Sequence, residues 1–525
     1  MKILGVTQGS NLRVFLRLAE MLKEPLGLQS VSAYVSDSQE YHEMEVKEPQ
    51  LRDAAIPLLK EWEITLEGLA RQPDLDLLRI WEAKLGDPVL WNVLLADRRI
   101  FFGRMCKLRQ DYKPRYSHSQ MLSIAQVAAE RIDHFLDLVR PDVILGFGTS
   151  TFGDYLLYRF ARARSISYLQ LKSTKIGNYV SLNDDAVRLS QHIAALTENP
   201  AALPSAALET AKKHLAQIRE RGIRYEGAVK STRRLRPLRG LIGCLRGIGR
   251  DFKNRLHPVI GQDNHVESAF LNSLYAHIIQ PIKSYAVMAR LKGRLVGRRY
   301  LKSPSPYAFF PLHFEPEVSL QVFGRPFQNQ IELIRNLALN LPAGMDVLVK
   351  EHPRALGFRP YSYYRKLLDI PNVKLVDPGL STHFLIRHAA LVAVISGSTG
   401  LEGAVMGKPV ILFGLPNYRL LPRNMIRQIV SLHELGIEIR DLMVHFRSDE
   451  VVLENFFAAH IAGAVSIDLY NVLLSKPSRY MDGSEYLSET EHREQHYRKL
   501  AEYCCLRIKA EIANYKKHVS KTPRI

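Results

Sequence analysis

Three short stretches in the second half of this chain carry side chains suited to holding a phosphorylated ligand. The first is Pro311-Leu312-His313-Phe314-Glu315-Pro316-Glu317. The second is Lys350-Glu351-His352-Pro353-Arg354, and the third runs Ser396-Gly397-Ser398-Thr399-Gly400-Leu401-Glu402. Each follows a short apolar run of the kind that forms a buried strand, so each reads as a loop at a strand's carboxyl end. In open parallel sheets that edge is where ligands bind. The hydroxyls of Ser396, Ser398 and Thr399, with free N–H groups at the start of the following helix, suit a phosphate. His352 can donate to a phosphate oxygen, Pro353 fixes the backbone after it, and Arg354 adds a guanidinium. Glu402, one turn into the helix, is placed to accept from a ribose diol. His313, Glu315, Glu317 and Glu351 complete the expected cleft. A single histidine after a strand is ordinarily a packing or capping residue; three such loops in register point to a nucleotide site.

The elements that must position these residues alternate regularly. Strands are expected at 307–310, 346–350, 373–376, 391–395 and 410–413, with helices at 327–340, 360–369, 382–388 and 401–406 between them. Gly407 ends the last of these helices. Residues 396–400 read as a turn. The chain opens in the same style, with a strand at 2–7, a turn containing Gly9 and a helix at 12–22. A helical stretch from about 40 to 139 follows, then a strand at 142–146. GFGTSTFGDYLLYRFARARSISYLQL repeats the strand-turn-helix-strand order and places Asp154 at a helix start. Asp154 is the candidate general base; equally, it reads as a capping carboxylate favoured by the helix dipole. Residues 190–300 are helical and basic. Pro304 and Pro306 mark the clearest boundary. The expected division is 1–303, 304–480, and 481–525, with a charged helix over 488–516 long enough to cross back over the first domain.

At 525 residues the chain is too long for one ordinary core. Its net charge of +19 calls for an anionic partner. Much of the excess lies in Lys230–Arg255, where leucines and isoleucines interleave with arginines, and in Lys283–Lys302. This pattern suits docking on an anionic lipid surface through Arg233–Arg255, helped by Lys292, Arg294, Arg298 and Arg299; it equally suits a solvated helical hairpin. Docking by charge alone would be reversed by salt, since the attraction decays over roughly 8 Å. Nucleic acid is not expected, because no nucleic-acid module accompanies the charge. No window approaches the ~20 apolar residues of a membrane span. MKILGVTQGSNLRVF reads as strand and turn rather than leader, so a cytoplasmic chain, peripheral on the inner face of the inner membrane, is the expectation. The four cysteines show no metal-ligand spacing, and neither a metal nor a resident cofactor is expected.

FFPLHFEPE, VLVKEHPR and VISGSTGLEGAVMGKPVILFG together resemble the bacterial capsule polysaccharide biosynthesis family, which includes the β-Kdo transferases of capsule linkers. RPDVILGFGTSTFGDYLLYRFARARSISYL is similar to that family's first domain. The resemblance covers roughly residues 130–180 and 305–425. It implies an α/β GT-B fold: two Rossmann-like domains facing across a cleft, helical insertions in the first, and a C-terminal helix returning to it. It implies transfer of a sugar from a nucleotide-sugar donor, CMP-Kdo among the options, to a capsular polysaccharide or its lipid-linked acceptor. His352 and Pro353 match the family's His-Pro turn. Ser396, Ser398 and Thr399 match the hydroxyl-rich turn that holds the donor phosphate in GT-B sialyltransferases, and Glu402 the ribose carboxylate. No Asp-x-Asp stands in these turns, so metal-independent transfer is expected, with helix N-termini and basic side chains neutralising the leaving phosphate. A UDP-sugar 2-epimerase shares the fold, but an acidic pair would then be expected after the glycine turn, where Glu402 is followed by Gly403. A polyol-phosphate polymerase of the teichoic-acid type would share the His-Pro turn, and a non-enzymatic assembly or export factor could keep the fold without the chemistry.

Overall fold

The computed structural model describes residues 1–8, 11–47, 56–101, 114–148, 151–187, 190–223, 237–297, 300, 305–315, 317–352, 355–469, 472 and 489–519. Among them, two parallel-stranded sheets carry the architecture. The first is built from β1 (Lys2–Thr7), β2 (Ser30–Val35), β3 (Leu58–Lys60), β4 (Val143–Gly146), β5 (Ser167–Ser173) and β6 (Tyr179–Asn183). The second takes β7 (Leu295–Val296), β8 (Tyr307–Pro311), β9 (Asp346–Lys350), β10 (Val373–Val376), β11 (Leu391–Val394), β12 (Val410–Leu412) and β13 (Ile426–Gln428). A last strand, β14 (Val465–Ser466), returns to the first sheet.

The order in the first sheet is β3-β2-β1-β4-β5-β6-β14, parallel as far as β5 and antiparallel beyond it. In the second it is β7-β10-β9-β8-β11-β12-β13, parallel throughout. Apart from β7, which adds to the edge of the second sheet beside β10, each starts at a central strand, steps outward one way, then jumps back and steps outward the other way. This is the doubly wound order of Rossmann-like domains, and two such sheets give the GT-B fold that the resemblance implies.

Parallel strands are covered on both faces, which is why they read as unbroken apolar runs. In β11, Val392 and Val394 point into one core, while Leu391, Ala393 and the following Ile395 point into the other. Helices α1 (Gln330–Asn340) and α2 (Tyr361–Leu368) cover the second face; α3 (Thr382–His388) and α4 (Ser398–Val405) cover the first. The structure corrects one local reading: Ser398, Thr399 and Gly400, expected as turn, are the first turn of α4. A hydroxyl residue is tolerated in a first turn because the N–H groups there have no intrahelical partner. β3 lies in a stretch expected to be helical, because three residues are too short for a period to show.

The two halves interlock. The helix Ser205–Arg221 lies against Glu450–Ala462 on the second sheet's core, through Ala207, Ala211, Leu215 and Ile218. The final helix, Glu489–Val519, returns to the first sheet as expected, burying Leu500, Cys504 and Ile508. Tyr503 fixes its register: the hydroxyl donates to the Gly463 carbonyl at 2.6 Å and accepts from the Leu182 N–H at 3.1 Å.

Candidate functional site

The crevice of a doubly wound sheet opens between the two strands whose connections leave in opposite directions. In the second sheet these are β8 and β11, adjacent and parallel. The loops that follow them meet at Ser396. The Ser396 N–H donates to His313 Nε2 at 3.3 Å, and Ser396 Oγ donates to the Ser319 carbonyl at 3.0 Å. Gln330 grips the His313 backbone on both sides: its Oε1 accepts from the His313 N–H at 2.7 Å and its Nε2 donates to the His313 carbonyl at 3.1 Å. His313 is buried, and burial, followed by the nearby His352 and Arg359, pushes its imidazole down to about 3. A neutral ring can accept from Ser396; an imidazolium could not.

Beyond Ser396 the backbone turns into α4 with Gly397 at the N-cap and no side chain capping the helix. Residues 396–399 are partly exposed, while 400–405 are buried. The leading N–H groups of Ser398 and Thr399 thus face an accessible edge with the positive end of the helix behind them, the arrangement that binds phosphate. Gly400 makes this possible. A Cβ there would lie 2.4 Å from Tyr418 Oη and 2.7 Å from Val394 Cγ1, so a side chain would push the helix off the sheet. Tyr418 returns the contact by donating to the Gly397 carbonyl.

The acidic residues expected in the cleft are held from behind by a cation that spacing did not reveal. Arg359 is 1% exposed; its Nη1 lies 2.5 Å from Glu351 Oε1, and its Nη2 lies 2.5 Å from the His313 carbonyl and 3.4 Å from Glu315. Tyr364 donates to the second oxygen of Glu351 at 2.6 Å, and the His352 N–H donates to Glu351 Oε1 at 2.6 Å. Glu315 also accepts from Gln330. Glu315 and Glu351 are thus struts tying the loop after β8 to the loop after β9, rather than carboxylates offered to a ligand. Glu317 accepts from Ser319 Oγ at 3.0 Å. The His352 ring stands edge-on to Phe314, centroids 6.3 Å apart. Pro353 and Arg354 lie outside the described residues.

Glu402 lies one turn into α4, where the spacing put it. It is nearly buried: Oε1 is 3.0 Å from His383 Nδ1, and the Ile223 backbone also reaches it. Burial raises its carboxyl, and His383 offsets part of that. Gly222, at φ +80°, passes directly over it; a Cβ there would sit 2.9 Å from Oε1. A ribose would therefore share or displace the His383 contact. His383 was missed because it sits inside an ordinary amphipathic helix.

The first sheet repeats the pattern. Its opposed strands are β1 and β4, and the residues just beyond them are bridged by Gln8, whose amide donates to Asp154. Asp154 Oδ2 accepts from the Thr151 N–H at 3.0 Å, and Thr151 Oγ1 accepts from the Asp154 N–H at 3.3 Å, a reciprocal capping box. The carboxyl has no exposed surface, and burial drives it up to about 7. Asp154 thus fills the capping role. Across the domain boundary, Arg325 Nη1 lies 2.9 Å from Asp87 Oδ1, and Tyr155 reaches the same carboxylate through Oδ2 at 2.6 Å. Lys172 Nζ sits 4.8 Å above the Phe323 ring, its ammonium pushed down to about 8 by burial and then by Lys175.

Residues 277–421 match the profile of the family described as "Capsule polysaccharide biosynthesis protein". The match covers a little over a quarter of the chain. All three loops, and Arg359 with them, fall inside the matched residues; Asp154 and Lys172 fall outside them. The capsule polysaccharide modification protein LipA of Neisseria meningitidis serogroup A is 29% identical over 96 residues, which is 18% of this chain and 14% of LipA. The serogroup B protein matches to the same extent. The match thus spans about a seventh of the curated relatives' length. Among solved structures, the β-Kdo 2,4 transferase of Thermosulfurimonas dismutans KpsC aligns over 62% of this chain and 82% of its own, at 15% identity and a TM-score of 0.35. The UDP-GlcNAc 2-epimerase of Methanocaldococcus jannaschii aligns over 88% and 97%, at 11% identity and a TM-score of 0.24.

Proposed function

We propose that this protein is a glycosyltransferase that moves a sugar from a nucleotide donor to a capsular polysaccharide or its lipid-linked acceptor. The observation that carries the reading is the uncapped, accessible start of α4 at the second sheet's switch point, inside the matched residues. A donor phosphate there would receive the N–H groups of Ser398 and Thr399 together with their hydroxyls. His352, Pro353 and Arg354 would flank it from the next loop, and Glu402 with His383 would meet the ribose. In this reading the donor side is built on the second sheet, from residues 304–480 together with β7 and the helix Ser205–Arg221. The acceptor side is built on the first sheet, from 1–303 together with β14 and the final helix packed on it. The leaving phosphate is neutralised by the helix start and side-chain cations without a metal. CMP-Kdo is one of the donors that the family resemblance allows, and the inner face of the inner membrane is where such an acceptor would be met.

A nucleotide panel tests this. One of CMP, UDP, GDP and CDP, at about 100 times its dissociation constant, should stabilise the protein by about 2.7 kcal/mol in a thermal-shift assay. Thr399→Asp should abolish that shift, since a carboxylate in the first turn repels phosphate. It should leave the unliganded protein as stable or slightly more so, because the same carboxylate favours the helix. No shift with any nucleotide, or an undiminished shift in Thr399→Asp, overturns the reading.

A further inference from the structure

The helix Pro237–Leu256 turns an apolar stripe to solvent. Leu238, Leu241, Leu245, Ile248, Phe252 and Leu256 follow one another at steps of three and four, which keeps them on one face, and they are between 54% and 77% exposed. Isolated exposed leucines need no explanation, but a contiguous stripe along five turns does. The opposite face is fixed to the body of the protein. A Cβ on Gly247 would lie 2.4 Å from the Phe270 nitrogen, and one on Gly243 would lie 2.6 Å from Ser273 Oγ. Asp251 accepts from Ser268 Oγ at 2.5 Å and from the Ala269 N–H at 2.7 Å. Small residues and this tether seat the helix so closely that it cannot roll to bury its stripe.

Successive residues turn by about 100°, so Arg246 and Lys253 fall on one flank of the stripe and Arg255 on the other. All three are exposed. The one acid in the helix, Asp251, lies on the tethered face. We propose that this helix lies in the surface of an anionic lipid bilayer, with its leucine stripe inserted among the acyl chains and its flanking cations at the phosphates. A second copy of the chain fits the stripe less well, since pairing two such helices would set arginine flanks against each other. The arrangement goes beyond docking by charge alone: insertion of apolar side chains resists salt that screens the cations. Of the wider basic stretch, residues 233–236, 298 and 299 lie outside the described residues. Arg294 is engaged with the Tyr361 hydroxyl at 3.0 Å.

The proposal extends the reading of a lipid-linked acceptor, but its test contains neither nucleotide nor saccharide, so either can fail alone. The protein is sedimented with phosphatidylcholine vesicles with and without phosphatidylglycerol. Binding is expected only with phosphatidylglycerol, reduced but not abolished by salt. The triple variant Leu241→Ser, Leu245→Ser and Phe252→Ser should bind more than about 100-fold more weakly while melting as the wild type does. In Phe252→Trp, the indole emission should shift to the blue on binding and be quenched by lipids labelled in the acyl chain. Equal recovery in the supernatant with both vesicles, or undiminished binding by the triple variant, overturns the proposal. So does complete release by salt with no blue shift, which would mean adsorption by charge. A dimer that the triple variant splits, without vesicle binding, would overturn it in favour of a second copy covering the stripe.

Discussion

His313 offers a quantitative test of how the switch point is built. An unfolded histidine titrates near 6.5, whereas His313 in the fold is held down to about 3 by burial and by its neighbours His352 and Arg359. As the pH falls from about 7 to about 5, the unfolded chain takes up this proton and the folded chain does not. Stability conferred by the neutral ring is thus full above 6.5 and is lost progressively down to about 3. Over the window from pH 7 to pH 5 the loss attributable to this one residue is about 2 kcal/mol. A folded value anywhere below about 4 gives the same figure, because folded His313 stays unprotonated across the whole window. His313→Gln removes the titration and keeps an oxygen able to accept from Ser396. The assay is hydrogen exchange of the β8 and β11 amides at the two pH values, corrected for intrinsic rates. The wild type should lose about 2 kcal/mol more protection than the variant between pH 7 and pH 5, since the remaining titrating groups are common to both. Equal losses would show that His313 is not kept neutral, and the account of the Ser396 contact would fall with it.

Removing Arg359 should be costly, because Glu315 and Glu351 would remain buried without their cation. Arg359→Met is expected to lower protection of the same strands by about 3–5 kcal/mol, and adding Glu351→Gln should restore part of it; a cost below about 1 kcal/mol contradicts the strut. Asp154→Asn should act in the opposite sense. The carboxyl is raised to about 7 by burial, so its charge penalises folding above that pH, and the penalty fades as pH falls toward 3.8. The variant should therefore be more stable by about 4 kcal/mol at pH 8 and gain little below about pH 4. An equal gain in melting temperature at both pH values would refute the assignment, and a turnover loss beyond about 100-fold with the cap intact would restore Asp154 as the general base.

The sequence by itself determined the alternation of the second half, because parallel strands buried on both faces must be short apolar runs, and each run ends at a glycine, proline or polar loop. β9, β10 and the helix Thr382–His388 fall where period and punctuation put them. The placing of three loops along one sheet edge followed from the same logic, since every parallel strand ends on the same side. The start of α4 was legible only to within a turn: hydroxyls and glycines cluster there because a first turn has N–H groups to satisfy, and the same residues read as loop until the helix is seen to begin at Ser398. What tertiary structure alone decided is which of the polar residues on that edge look outward. Glu315 and Glu351 resemble Ser396 in position, yet Arg359, well past the loop that carries Glu351, folds back and engages both. Glu402 met His383 and the Gly222–Ile223 backbone, partners remote from it in sequence. No local period encodes such contacts, because ion pairing depends on distance in space and burial on what else packs above. The basic stretch before the second domain shows the same division. Its composition suited an interfacial helix and a solvated hairpin alike, and only the seating of Gly243 and Gly247 against the next helix turned the leucine face outward.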